Sequence, residues 1–180
     1  MRKLNMILVL GIFLTFLVHA VMGAFKLMGA DVAVPSFIAR ILLVLVCGHV
    51  IVTGILTAKT LIARKRSGAG YFRNNLMFWA RRLSGLAIII PLVMHIVVFS
   101  GTGNAEQYRL IYFDVGKLIS QILFAASLGL HVLININPLL MGLGVRQHKA
   151  FSADFCFVLL VILITASVAF FVYYCRWISI

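Results

Sequence analysis

Four of the five histidines in this chain, His19, His49, His95 and His131, lie inside four successive apolar segments. An ionisable side chain within a bilayer is costly and is kept where a partner repays the cost. Neutral imidazole is a ready metal ligand, and an iron held between two imidazoles uses two histidines at once, so four suit two haem irons. A single membrane histidine is better explained by a hydrogen bond across a helix interface than by a metal. Repetition on four separate segments turns the argument towards metal. His148 is different: it falls in a short basic stretch, residues 145–150, expected to form a loop facing solvent or headgroups.

The segments that must position these residues are membrane spans. The chain has 180 residues, 63% of them hydrophobic, and its apolar residues come in long runs rather than at amphipathic spacing. About 20 residues at 1.5 Å rise cross a bilayer core. Five stretches qualify, roughly residues 6–25, 35–61, 83–100, 118–144 and 155–174. The expected fold is an all-α integral membrane protein, a single five-helix bundle. The short connections leave no room for a soluble domain, so chemistry in water falls to another subunit.

Charge placement gives an orientation. Arg2, Lys3, Lys59, Arg64, Lys65, Arg66, Arg73, Arg81, Arg82, Arg146 and Lys149 fall on one side if the segments alternate. The other side keeps Lys26, Arg109, Lys117 and Arg176, with Arg40 just inside its margin, and holds Asp31, Glu106 and Asp114. The positive-inside rule then places the N-terminus in the cytoplasm and the C-terminus outside. The net charge of +12 is mainly a topology signal, and basic residues that flank spans without a soluble fold argue against nucleic-acid binding. Residues 1–24 also have the layout of a secretory signal, with a basic start, an apolar middle and small residues at Gly23 and Ala24. Cleavage would remove His19, but the apolar run continues past any such site, which favours a retained first span. Cys47, Cys156 and Cys175 form no CxxC pair and are expected to be small buried hydrophobes rather than ligands.

Depth turns the four histidines into two pairs. On the outward-running segments His19 lies 16 residues beyond Lys3 and His95 lies 13 beyond Arg82, about 20 to 24 Å from the cytoplasmic boundary. On the inward-running segments His49 lies 14 residues after Pro35 and His131 lies 14 after Lys117, about 21 Å from the outer boundary. His19 and His95 share an outer level, and His49 and His131 an inner one. Two bis-histidine sites at these levels would stack two haems across the membrane.

Neighbouring residues add detail. Gly23 and Thr53 follow His19 and His49 by four, and Ser127 precedes His131 by four, placing a small residue on each ligand face, where a flat macrocycle or a neighbouring helix could approach. Pro91 and Pro138 are expected to bend the third and fourth segments and free backbone carbonyls, which Asn135 and Asn137 could serve. Haem propionates need cationic or hydroxyl partners near a membrane face; Arg40 at the outer end, and Arg81, Arg82 and Ser84 at the inner start of the third segment, are the candidates.

The run GHVIVTGILTAK, then a basic linker into FWARRLSGLAIIIPLVMHIVV, then LHVLININPLLMGLGVRQHKAF, resembles the cytochrome b membrane anchor of succinate:quinone oxidoreductases and fumarate reductases, in the form with one anchor chain, five helices and two haems b. The shared order is an inward histidine helix, a basic aromatic linker, an R-x-S-G opening to the next helix, a histidine near its outer end, and another inward histidine helix. LVHAVMG around His19 is similar to the family's first helix, although shorter on its N-terminal side.

The resemblance implies axial ligands at His19 and His95 for the outer haem, and His49 and His131 for the inner one, in agreement with the depth pairing. It implies an iron-sulfur subunit and a flavoprotein on the cytoplasmic side, the latter interconverting succinate and fumarate. It also implies a cytoplasmic (inner) membrane location and a quinone, menaquinone or ubiquinone, near the outer face. The chain departs from some members in having no carboxylate at the centre of any span; Asp31 on the outer side is the candidate proton acceptor at a quinone. Two other functions fit the same residues: the cytochrome b subunit of a hydrogenase or formate dehydrogenase, and a non-redox anchor or transporter.

Overall fold

In a computed structural model of the chain, which describes residues 1–32, 35–67, 75–100, 112–145 and 148–178, there are five helices long and apolar enough to cross a membrane. They are α1 (Arg2–Leu27), α2 (Ser36–Ser67), α3 (Leu76–Phe99), α4 (Val115–Gly142) and α5 (His148–Ile178). The cause is the solvent: hydrocarbon offers no hydrogen-bond partner, so backbone groups must be satisfied within the helix. Hydroxyls follow the same rule. Thr15, Thr53, Thr57 and Thr60 each donate to a carbonyl four residues back, at 2.6 to 2.8 Å.

The helices run beyond the apolar limits expected of them. The largest shifts are at the starts of α5, at His148 rather than Phe155, and of α3, at Leu76 rather than Leu83, where Phe78, Trp79 and the aliphatic stem of Arg82 extend the packing past the last purely apolar residue. His148 is not in a loop: it is the first residue of α5. Arg73, Glu106, Arg109 and Arg146 of the charge pattern lie outside the described residues, as do the side chains of His148 and Lys149.

Packing runs in the order α2, α1, α5, α4, α3. Early α1 meets early α5 at the Phe13 and Phe155 rings, 4.6 Å apart, and the end of α1 meets the end of α5 where Arg176 Nη1 donates to Leu27 O at 3.3 Å. These two helices are therefore parallel. Met6 at the start of α1 touches Gly142 at the end of α4, so α4 is antiparallel to both. The open ends of the series, α2 and α3, are joined where Arg82 Nε donates to Thr57 Oγ1 at 3.2 Å. Among the described residues, α1 shares no extensive backbone packing with α3, nor α2 with α4.

The outward faces are apolar, with Val44 70% and Ile90 76% exposed, as lipid-facing side chains should be. Cys47 and Cys175 also face outwards rather than being buried, since a small apolar side chain loses nothing by meeting hydrocarbon. The best-packed cluster, Val98, Phe113 and Tyr173 with Leu27, Phe99, Leu118 and Tyr174, closes one end of the bundle. At that end Gly29 takes a φ of +99°, and a Cβ there would lie 2.7 Å from Arg176 Nη1, so this turn needs glycine.

Candidate functional site

One of the two pairs that depth suggests, His19 with His95, is in ring contact, from helices that share no extensive backbone packing. His19 on α1 and His95 on α3 have ring centroids 6.1 Å apart, with planes at 80°. Two imidazoles on opposite sides of one metal ion, with metal–nitrogen bonds of about 2 Å each, have centroids roughly 6 Å apart. Their planes can take any mutual angle, because each ring turns about its own metal–nitrogen bond. On α2 and α4, His49 lies within electrostatic range of His131.

Side chains on α3 and α4 hold the histidines of the opposite helix. Gln121, fully buried on α4, places Oε1 2.8 Å from His95 Nδ1. A short network fixes the proton. Ser120 Oγ donates to Lys117 O at 2.7 Å, so it accepts from Gln121 Nε2 at 3.1 Å; the amide is thereby oriented with its oxygen towards His95. An amide oxygen only accepts, so His95 Nδ1 carries the proton and Nε2 keeps its lone pair.

His131 has a similar holder. Ser84, buried on α3, lies with Oγ 2.9 Å from His131 Nδ1 and 3.1 Å from Arg81 O, so its hydroxyl ties the imidazole of α4 to the start of α3. Asn135 Nδ2 donates one hydrogen to His131 O at 2.7 Å and turns its second towards the same ring nitrogen, 3.4 Å away. Asn135 therefore serves the backbone of the histidine's own turn rather than the Ile134 carbonyl that Pro138 frees. Gly85 completes this contact: a Cβ there would lie 3.2 Å from His131 Cε1.

His19 and His49 present the opposite case. Their Nδ1 atoms are buried and have no hydrogen-bond partner among the described residues. Beside His19, a Cβ on Gly23 would meet nothing within 4 Å. His95 is enclosed by aromatic rings, with Phe124 stacked at 5.0 Å, Phe99 at 5.1 Å and Phe170 at 6.3 Å.

The remaining candidates separate by what they touch. Ser84 is occupied by His131, and Arg82 by Thr57, the Phe78 carbonyl and the Phe78 ring. Arg81 is half-buried, and its Nε has no partner among the described residues. Arg40 and Asp31 are exposed. Ser127 bonds only the carbonyl of Phe124. Gln121 is the residue that reading the sequence missed; its one signal is that it is an amide within a membrane span, six residues after the helix starts.

Among the described residues no group of three or more His, Cys, Asp or Glu could hold a metal ion. Two facing imidazoles with free lone pairs are instead the donor set of a metal that brings its own equatorial ligands, and the residues present fit a haem at each level. The fold and site thus define a multi-pass helical membrane protein in which His19 and His95 face one another and His49 lies within electrostatic range of His131. Against known proteins, no family model, curated sequence or solved structure matches the chain.

Proposed function

We propose that the chain is a dihaem cytochrome b membrane anchor of a succinate:quinone oxidoreductase or quinol:fumarate reductase. His19 and His95 hold the outer haem, and His49 and His131 the inner one. The observation that carries the reading is the meeting of His19 and His95 at 6.1 Å from two helices that do not otherwise pack together. When bound, the two haems supply one-electron transfer between an iron-sulfur subunit and a membrane quinone.

The chain's own side chains bind, orient and seal. Gln121 sets which nitrogen of His95 is free, and Ser84 orients the His131 ring through Nδ1. The rings of Phe99, Phe124 and Phe170 keep water from His95, and the Val98, Phe113 and Tyr173 cluster closes the outer end. The unpaired Arg81 Nε is the partner for an inner propionate, and Arg40 for an outer one. Asp31, beyond the end of α1, is the proton acceptor beside an outer quinone. Partners on the basic, cytoplasmic side are an iron-sulfur subunit and a flavoprotein, and the membrane is the inner one.

A pyridine haemochrome assay on the purified protein, with copurifying chains identified by mass, tests this reading. The expected result is two haems b per chain with a flavoprotein and an iron-sulfur protein attached. Haem with hydrogenase or formate dehydrogenase subunits would reassign the partners. Absence of haem would overturn the proposal.

A further inference from the structure

Each proposed pair joins one imidazole held by a side chain to one that is not. His95 and His131 are held; His19 and His49 have buried Nδ1 atoms without partners among the described residues. The holders are placed reciprocally. α3 carries the ligand His95 and the holder Ser84, eleven residues apart and so close to three full turns. The antiparallel α4 carries the ligand His131 and the holder Gln121.

A buried amide needs a reason to sit in a membrane span, and Gln121 has one: all of its hydrogen bonding goes to His95 and to Ser120, the residue that fixes its orientation. Were it only a link between helices, either nitrogen of His95 and either face of the amide would serve. The Lys117, Ser120, Gln121 series instead admits one orientation, with the acceptor oxygen at the imidazole.

We infer that Gln121 is a positioning residue that fixes the Nδ1–H tautomer of His95, presents its Nε2 to the bundle interior and sets the electron-donating strength of that ligand, and that Ser84 is the positioning residue that orients the His131 ring through Nδ1. This inference rests on the proposed haem ligation. An acceptor on Nδ1–H makes an imidazole more basic towards its metal, which favours the ferric over the ferrous state. Removing the acceptor therefore raises the midpoint potential. A carboxylate in its place lowers it.

The test is a redox titration of haem absorbance on the purified complex. Gln121→Leu is expected to raise one midpoint by about a tenfold change in the reduction equilibrium, ~59 mV for a one-electron couple, with two haems retained and the other midpoint unmoved. Gln121→Glu is expected to lower the same midpoint. Ser84→Ala moves the other midpoint, and Ser84→Thr, which keeps the hydroxyl, restores it. Full haem content with both midpoints unmoved in Gln121→Leu and Ser84→Ala overturns the inference and leaves the ligation standing. Where Gln121→Leu fails to assemble, an unmoved midpoint in Gln121→Glu overturns it. Wild-type protein without haem removes both readings together.

Discussion

Among the described residues, α1 and α2 bring their histidines to the interior with no side chain holding Nδ1, whereas α3 and α4 hold each other's histidine by Gln121 and Ser84. In the α3–α4 half both histidines are thus held at Nδ1 by a side chain of the other helix. The α1–α2 half keeps two buried ring nitrogens unpaired, and an unpaired buried polar group costs about 1–3 kcal/mol. The difference teaches that one half can be organised before a ligand arrives, and that the other gains most from its arrival.

The strongest way to break this comparison is to remove ligands from each half in turn. His49→Leu and His131→Leu should each lower haem b from two per chain to one, measured by pyridine haemochrome, while a His148→Ala protein keeps both. If the α3–α4 half is organised before a ligand arrives, His131→Leu should also impair recovery of the assembled complex more than His49→Leu does. Equal recovery would erase the distinction between the halves.

A smaller effect is expected from Gly85, which touches only the held side. Gly85→Leu pushes a side chain into the space of the His131 ring and should take haem content towards one per chain; Gly85→Ala, whose methyl group meets Cε1 at 3.2 Å, should cost only part of that. Quantitative absorbance of the reduced protein distinguishes the two. Arg82→Gln cuts the link between the halves, since it removes both the bond to Thr57 and the stacking on Phe78. A loss of about 1–2 kcal/mol should be read as earlier unfolding in a denaturing-detergent titration, with haem content unchanged.

The smallest effect lies at the N-terminus of α4. The Lys117 backbone N–H donates to Asp114 at 2.8 Å and, with its ammonium group 3.3 Å away, holds the carboxyl below its usual range. A depressed acid stabilises the fold when ionised, so its contribution is full at neutral pH and is lost as pH falls through the folded-state value. Asp114→Asn should therefore be less thermally stable than wild type at neutral pH. The two melting curves should converge only once pH falls below the ordinary carboxylate range.

Much of this was legible in the residues, for physical reasons that differ by element. The spans are read because lipid demands long apolar runs, and Pro91 and Pro138 do not interrupt α3 and α4. The pairing of His19 with His95 is read because rise per residue converts sequence distance into depth. Helix ends were less legible: charged side chains with long aliphatic stems, such as Arg82, let α3 continue past the apolar boundary. The role of Ser84 could not be read either. Depth places it near the inner start of α3, but only the rotation of α3 against α4 brings its hydroxyl to His131 instead of to a membrane face. Gln121 was missed because an amide in a span carries no period and no motif.

One further consequence follows from having two cross-helix bonds rather than one. A single contact between antiparallel rods acts as a pivot: the rods can still tilt or roll about it. Gln121 to His95 and Ser84 to His131 are separated by ten residues along α4, roughly 15 Å, and together they act as a brace. Sliding α3 by one turn breaks both bonds at once, and rolling it shears them in the same sense. The height difference between the two histidine levels is therefore gauged inside the bundle, and the segment connecting α3 to α4 is relieved of that duty.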